Sequence, residues 1–418
     1  MNERLLQFIW QHLYFNKEQL ATINSETVTI LYQGMLNSNQ GPDFLHAKLS
    51  IGNVQWAGNI EMHIRTSDWK RHGHSNDEHY NNIILHVVWE HDENEPQPIP
   101  VIELKGRVSS ALLNRYYELM QQKSFIPCEK SAAETPDIIW NNWKERMIAE
   151  RLFEKNEKIN QLLNATNFHW EETFWQLLAR NFGIPVNADA FEIMAKSIPV
   201  NILAKHKQQI HQLEAILFGQ LGLLNGTYKE DYPRLLKKEY QYMQKKHRLQ
   251  QPSCLVSYLR MRPSNFPTVR LAQLAMLIYQ SHHLFSRILE AGSVQDVQQL
   301  FFVTANDYWH YHYQFDEEAS FRKKQTGKVM TDNILINTVI PVLFAYAQYK
   351  NREDLKQKAL LWLNQLPKEK NTITQKWEET GIQHVNAFDS QALLYLKKHY
   401  CDNKMCLSCA VGNKLLKK

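Results

Sequence analysis

The sequence predicts an α/β N-terminal domain, a central sheet with flanking helices, over residues 1–130. A mainly α-helical domain follows over residues 131–418. Three observations carry this reading. Runs of strand character lie between residues 27 and 105, as alternating or continuous apolar stretches. From Ser109 onward apolar residues recur at helical spacing instead. Pro127-Cys128 and the polar SAAETP stretch separate the two regimes, and 418 residues exceed one typical core.

The elements follow in order. Asn2 to Phe15 places Leu5, Leu6, Phe8, Ile9 and Leu13 on one helical face. Thr27 to Gly34 is a β-branched strand. Phe44 to Ile51 and Val54 to Arg65 flank Gly52-Asn53, the signature of a two-residue hairpin turn. SDWKRHGHSNDEHY is polar, with a short helix predicted from Asn76-Asp77 toward Tyr80. NIILHVVWE, from Asn82 to Glu90, reads as a buried strand, and Ile99 to Lys105 as another. Ser109 is placed to cap the first of the later helices. Further helices are predicted at roughly 140–163, 169–182, 187–197, 201–218 and 230–248, and Thr331 to Tyr346 as an apolar helix kinked at Pro341.

Composition narrows the function classes. No apolar run approaches the ~20 residues of a membrane span, and MNERLLQFIWQHLYF lacks the pattern of a signal peptide. A cytoplasmic protein without a membrane partner is expected. The five cysteines do not form a disulfide framework pattern. Residues 1–130 hold 11 basic and 15 acidic residues, which leaves 37 and 28 for the remainder. A basic helical half fits a nucleic-acid partner, and a solvated lysine-rich helical surface produces the same balance.

The hairpin carries the candidate chemistry. Asp43 sits at the mouth of its first strand, and Glu61 and His63 share a face of the second. Neighbouring strands lie about 5 Å apart, so two carboxylates here can converge on a hard divalent cation. Such a cation lowers the pKa of bound water and stabilises charge on a phosphate. Glu3, on the first helix, can add a carboxylate. A rival assignment is Asp92 with Glu103-x-Lys105, although Asp92 lies in a charged turn.

Pro42-Asp43 followed by Glu61-x-His63 resembles the PD-(D/E)xK signature of restriction-endonuclease-like nucleases. The resemblance implies a restriction-endonuclease-like fold, whose element order of helix, three strands, short helix and strand is similar to that predicted here. It implies catalytic roles for Asp43, Glu61 and His63, with Asp43 and Glu61 holding Mg²⁺ (or Mn²⁺). His63 stands where that superfamily has lysine. It can accept a proton but lacks a fixed charge near neutral pH. The chain to about residue 105 also resembles an uncharacterised bacterial domain family of unknown function, through GPDF, W-x-GNIEMH, SDW-x-x-H-x-H and YNNIILHVV. The function expected is a metal-dependent nuclease hydrolysing phosphodiester bonds in DNA or RNA. The alternatives are a catalytically inactive nucleic-acid-binding protein on a degenerate nuclease fold, and a structural or interaction protein.

Other residues bear on metals and phosphate. His63, His72, His74 and His79 lie close in sequence and offer imidazoles for zinc, or contacts to phosphate. His86, in an apolar strand, reads as a hydrogen-bonded core residue. Arg260, Arg262 and Arg270, around RPSNFP, either pair within the helical bundle or touch phosphate. TGKVMT lacks the first glycine and the hydroxyl of a phosphate loop. Cys401, Cys406 and Cys409 form C-x4-C-x2-C, a metal-ligand spacing that needs a fourth ligand from His399, Cys128 or Cys254. His399 would complete a Cys₃His zinc site, whereas a fourth cysteine suits Zn²⁺ or an iron–sulfur cluster. Some nucleases of the resembled superfamily join one upstream cysteine to three near the C-terminus, which implies Cys128.

Overall fold

The computed structural model describes every residue except 38, 73–76, 96, 282 and 418, and the side chain of residue 78. It divides into two compact units. The first comprises Met1–Trp143, Lys376–Ile382 and Tyr395–Lys418, and the second Lys144–Gln375 and Gln383–Leu394. The cysteine-bearing C-terminal segment, expected with the helical domain, therefore belongs to the N-terminal unit. Local contacts account for this. Leu416 enters the sheet core, Tyr14 donates to Asn413 at 3.0 Å, and Arg115 donates to the Leu416 carbonyl at 3.3 Å.

The first unit is built on a six-stranded mixed sheet. Its strands are β1 (Val28–Tyr32), β2 (Met35–Leu36), β3 (Phe44–Ile51), β4 (Val54–Arg65), β5 (Ile83–Glu90) and β6 (Val101–Glu103). The order is β1-β3-β4-β5-β6, with β2 also beside β3. The hairpin forms at the predicted turn: Ile51 pairs with Val54, and Gly52 takes φ +56°, a conformation that favours glycine. β4 to β5 and β5 to β6 are parallel.

Helix α1 (Glu3–Gln11) is capped by Asn2, whose side chain accepts from the Leu5 N–H, and it buries Leu5, Leu6, Phe8, Ile9 and Trp10. These pack with Phe44, Leu49, Ile60, Met62, Leu85 and Val87 as the core on one sheet face. The other face is also covered. The crossover from β4 to β5 carries α2 (Asp68–Arg71) and a short turn of helix at Glu78–Tyr80, and it buries Glu61, His63, Trp69 and His86. α3 (Ser110–Gln121) follows, although the Ser109 side chain makes no cap bond.

A 29-residue helix, α4 (Asp137–Ala165), leads into the second unit. Next come α5 (Trp170–Phe182), α6 (Ile184–Lys196), α7 (Val200–His206), α8 (Ile210–Gln220), α9 (Asp231–His247), α10 (Pro267–Gln280), α11 (Leu284–Glu290) and α12 (Val294–Leu300). The helix expected at 201–218 is thus two. Buried His206 ends α7 and bonds Gln212 and His247 at 2.6 and 2.7 Å, which fixes the turn between them.

A long apolar helix crosses this unit as α13 (Lys328–Ile334), a π-helical segment at Leu335–Val339, and α14 (Ile340–Tyr349). Pro341 donates no N–H, and the widened turn before it absorbs that missing bond. Lys328–Tyr349 has the length and hydropathy of a membrane span, contrary to the sequence expectation, and its apolar window is 78% buried within the protein. α15 (Glu353–Gln365), α16 (Thr372–Glu379), α17 (Ala387–Leu396) and α18 (Ala410–Lys417) complete the chain.

Candidate functional site

An irregularity in β3 decides where Asp43 points. Strict alternation would put Asp43 on the face of Ala47, Leu49 and Ile51. The register instead shifts between Phe44 and Ala47, and His46 takes φ +61°. This bulge turns Phe44 into the core and Asp43 onto the opposite face. Phe44 pairs with Ile60, so Asp43 meets Glu61. The Asp43 N–H donates to Glu61 Oε2 at 3.2 Å, and Asp43 Oδ2 accepts from the Met62 N–H at 3.0 Å. Asp43 Oδ1 accepts from Gln7 at 2.8 Å. Gln7 lies one turn after Glu3 on α1, a spacing that puts both on one helical face.

Burial raises both carboxyls. Glu61 is 6% exposed, and its carboxyl is pushed up first by burial and then by the Asp43 charge. Asp43 is pushed up by burial, against hydrogen bonds from Met62 and Gln7, with Glu3 adding to the rise. Two acids so placed crowd negative charge into a dry site.

His63 stands beside them, 1% exposed. Its Nδ1 lies 2.9 Å from His86 Nε2, and its Nε2 lies 3.1 Å from His72 Nδ1 and 3.7 Å from Glu61 Oε1. The three imidazoles form a chain with His63 at its centre. His86 is buried and hydrogen-bonded as expected, with another histidine as its partner. Trp69 packs against His86 and His63 at centroid distances of 5.1 and 6.3 Å. Burial, followed by the charges of Glu61, Asp43 and Asp77, pushes the Tyr80 phenol up to about 12.

Ligand atoms of Glu3, His63 and His72 all lie within 4.8 Å of one another. This group, with Asp43 and Glu61, offers carboxylate and imidazole donors to one region. The chemistry open to it is cation binding combined with proton transfer. His79 pairs with Asp77 at 2.8 Å, and His74 lies outside the described residues. Two of the three rival residues are engaged elsewhere: Asp92 accepts from the Ser67 N–H and hydroxyl at 3.0 and 2.7 Å, and Lys105 pairs with Glu90.

A second cluster lies in the same unit. Cys128, Cys401, Cys406 and Cys409 are free thiols that act on one another electrostatically. Burial pushes Cys128 up to about 12, and Cys409 and Cys406 add to the rise. Cys401 is driven upward by burial and then by the other three. Burial raises Cys409 too, and the neighbouring Gly412, Val411 and Trp143 oppose the rise. Cys254 lies in the second unit, its thiol on the Leu221 carbonyl at 3.7 Å. His399 stacks on Tyr395 at 4.1 Å.

Residues 3–372 match the family model described as a protein of unknown function, DUF2851. The chain belongs to the DUF2851 family. No curated protein and no solved structure matches it. The matched region of this DUF2851 chain includes the carboxyl pair, the three imidazoles and Cys128, whereas the three C-terminal cysteines lie beyond it.

Proposed function

We propose that this protein is a metal-dependent nuclease that hydrolyses phosphodiester bonds in DNA or RNA. The observation that carries the reading is the contact of half-buried Asp43 with buried Glu61, beside buried His63. A restriction-endonuclease-like fold is part of the proposal, supported by an antiparallel hairpin followed by a parallel strand across a short helical crossover.

The residues present fit a divalent cation. Burial raises both carboxyls, with the Asp43 charge adding to the rise of Glu61 and the Glu3 charge to that of Asp43, and a bound cation would offset this crowding of acids. When bound, the cation neutralises phosphate charge and acidifies water. Asp43 and Glu61 hold it, with Glu3 as a further carboxylate. Gln7 and the Met62 N–H fix the Asp43 carboxylate. His63, oriented by His86, accepts at Nε2 the proton of the water that attacks phosphorus, and His72 is in reach to share it. The bond from phosphorus to the leaving sugar oxygen then breaks, and that oxygen takes a proton from solvent. Carboxylate ligands suit Mg²⁺ and Mn²⁺ alike, and Mn²⁺ carries a paramagnetic signal that binding alters.

The test is Mn²⁺ binding, read as loss of the free-ion paramagnetic signal, in wild type and in Asp43→Asn and Glu61→Gln. The reading expects stoichiometric binding weakened at least ~10-fold in each variant, the usual scale for losing a ligand contact. Equal binding by all three proteins would overturn it. Binding of Mn²⁺ and nucleic acid without cleavage would favour the degenerate-fold alternative, which the replacement of lysine by His63 supports.

We also propose that Cys128, Cys401, Cys406 and Cys409 hold a thiophilic centre, Zn²⁺ or an iron–sulfur cluster, in a reducing cytoplasm. The support is the approach of Cys128 to the three C-terminal cysteines, Cys406 and Cys409 buried and Cys128 and Cys401 half-buried, close enough for their charges to act on one another. Protein purified without oxygen should contain zinc, or iron with a visible charge-transfer band. Absence of both would remove the proposal.

A further inference from the structure

The helical unit contains a cleft of about 500 Å³ lined by Arg262, Arg270, Arg322, Lys323 and Lys324. No aspartate or glutamate lines it among the described residues, and none of the five cations is in an ion pair there. It shares Ile184, Pro185 and Asn333 with a second cleft of about 800 Å³. That one adds Lys155, together with Lys158, Arg180 and Lys196, which pair with Glu154, with Asp189 and Glu192, and with Glu192. The two form one basic groove.

Surface lysines alone would not make a site, but Arg270 is different. It is 8% exposed, and its guanidinium bonds only to neutral amides, Gln273 at 2.9 Å and Asn265 at 2.5 Å. Its Nε has no partner. A buried cation without a counter-charge is costly. Burial pushes Arg270 down to about 10 and Lys155 down to about 8, the latter helped by Arg151 and Lys158. Lys324 is held by carbonyls of His310 and Arg322 and lies 3.7 Å over the Tyr313 ring. Arg270 pairs within the bundle, as one sequence reading had it, and still lines the groove. Spaced cations with neutral hydrogen-bonding neighbours and an aromatic face complement a chain of phosphates.

We propose that this groove binds the phosphodiester backbone of a nucleic acid, with Arg262, Arg270, Arg322 and Lys323 as phosphate contacts. The choice of polyanion rests on the nuclease reading, but binding is measured apart from cleavage. The experiment uses full-length protein in EDTA and fluorescein-labelled oligonucleotides, single- and double-stranded, DNA and RNA, followed by anisotropy across a salt series. The variant is Arg262→Ala/Arg322→Ala/Lys323→Ala, all exposed positions. The control removes the same charge from α9, as Lys238→Ala/Lys245→Ala/Lys246→Ala, also exposed. The groove variant should lose ~10-fold or more in affinity, and its log–log salt slope should shrink by about 2 to 3, one phosphate per cation. The control should change by less than ~3-fold.

Equal losses in the two variants, no binding, or binding indifferent to salt would overturn the groove. Groove-dependent binding without Mn²⁺-dependent cleavage would sink the nuclease reading and leave the groove standing. Cleavage by wild type with unchanged binding by the groove variant would do the reverse.

Discussion

Glu214→Gln should abolish one specific pH dependence of the helical unit. Glu214 is fully buried in α8. Its Oε2 accepts from the Tyr232 hydroxyl at 2.6 Å, and Trp309 Nε1 lies 3.2 Å from both oxygens. Trp309 in turn stacks on Phe218 at 5.0 Å. Burial raises the carboxyl from 4.5 to about 7, against these two hydrogen bonds. A folded pKa above the unfolded value means the folded state holds more protons between the two. Its contribution is therefore full below about pH 4.5 and is lost as pH rises through about 7. At roughly 1.4 kcal/mol per unit, the loss is about 3 kcal/mol. Glutamine keeps an acceptor for Tyr232 and has no proton to release. Whatever fixed cost it carries, the stability difference between variant and wild type should move by about 2–3 kcal/mol in favour of glutamine from pH 5 to pH 8. Urea unfolding followed by far-ultraviolet circular dichroism reads this, since other titrating groups cancel in the difference. Parallel pH profiles for the two proteins would refute the reasoning.

Two further substitutions probe the first unit. A Cβ on Gly58 would lie 2.5 Å from Ile84 Cγ2 and 2.7 Å from the Asn82 carbonyl, so Gly58→Ala should cost about 1–3 kcal/mol by forcing β4 from β5, read by urea unfolding; an unchanged midpoint would contradict it. A Cβ on Gly412 would lie 2.2 Å from the Cys406 carbonyl, so Gly412→Ala should lower both the metal content of protein purified without oxygen and its melting temperature. Melting lowered with metal content unchanged would separate that packing from the thiol cluster.

The parts of this architecture legible in sequence were the local ones. The turn at Gly52-Asn53, the apolar face of the first helix and the apolar run at Ile84–Val88 each carry their signal within a few residues. The approach of Asp43 to Glu61 was expected from proximity of strands, but its cause was not visible. A bulge at an ordinary Leu45-His46 step reverses the alternation, and no glycine marks it. Glu61 and His63 read as one polar face, yet the crossover through Trp69 and Tyr80 buries that face; burial depends on a partner remote in sequence. Glu3 and Gln7 share a helical face, a signal half used. The return of residues 395–418 to the first unit has no periodic signature, and the cysteines alone hinted at it. The basic groove draws its cations from α4, α5, α6, α10 and the segments before α10 and α13, so only packing assembles it.

The most direct test of the central claim is single-turnover cleavage of end-labelled DNA and RNA oligonucleotides by wild type and by Asp43→Asn/Glu61→Gln. The account predicts fragments from wild type with Mn²⁺ or Mg²⁺, none in EDTA, and a loss of ~100-fold or more in the double variant, in the range seen for removing groups that stabilise transition-state charge. Cleavage that persists in the double variant, or wild type that leaves every substrate intact with either metal, would contradict it.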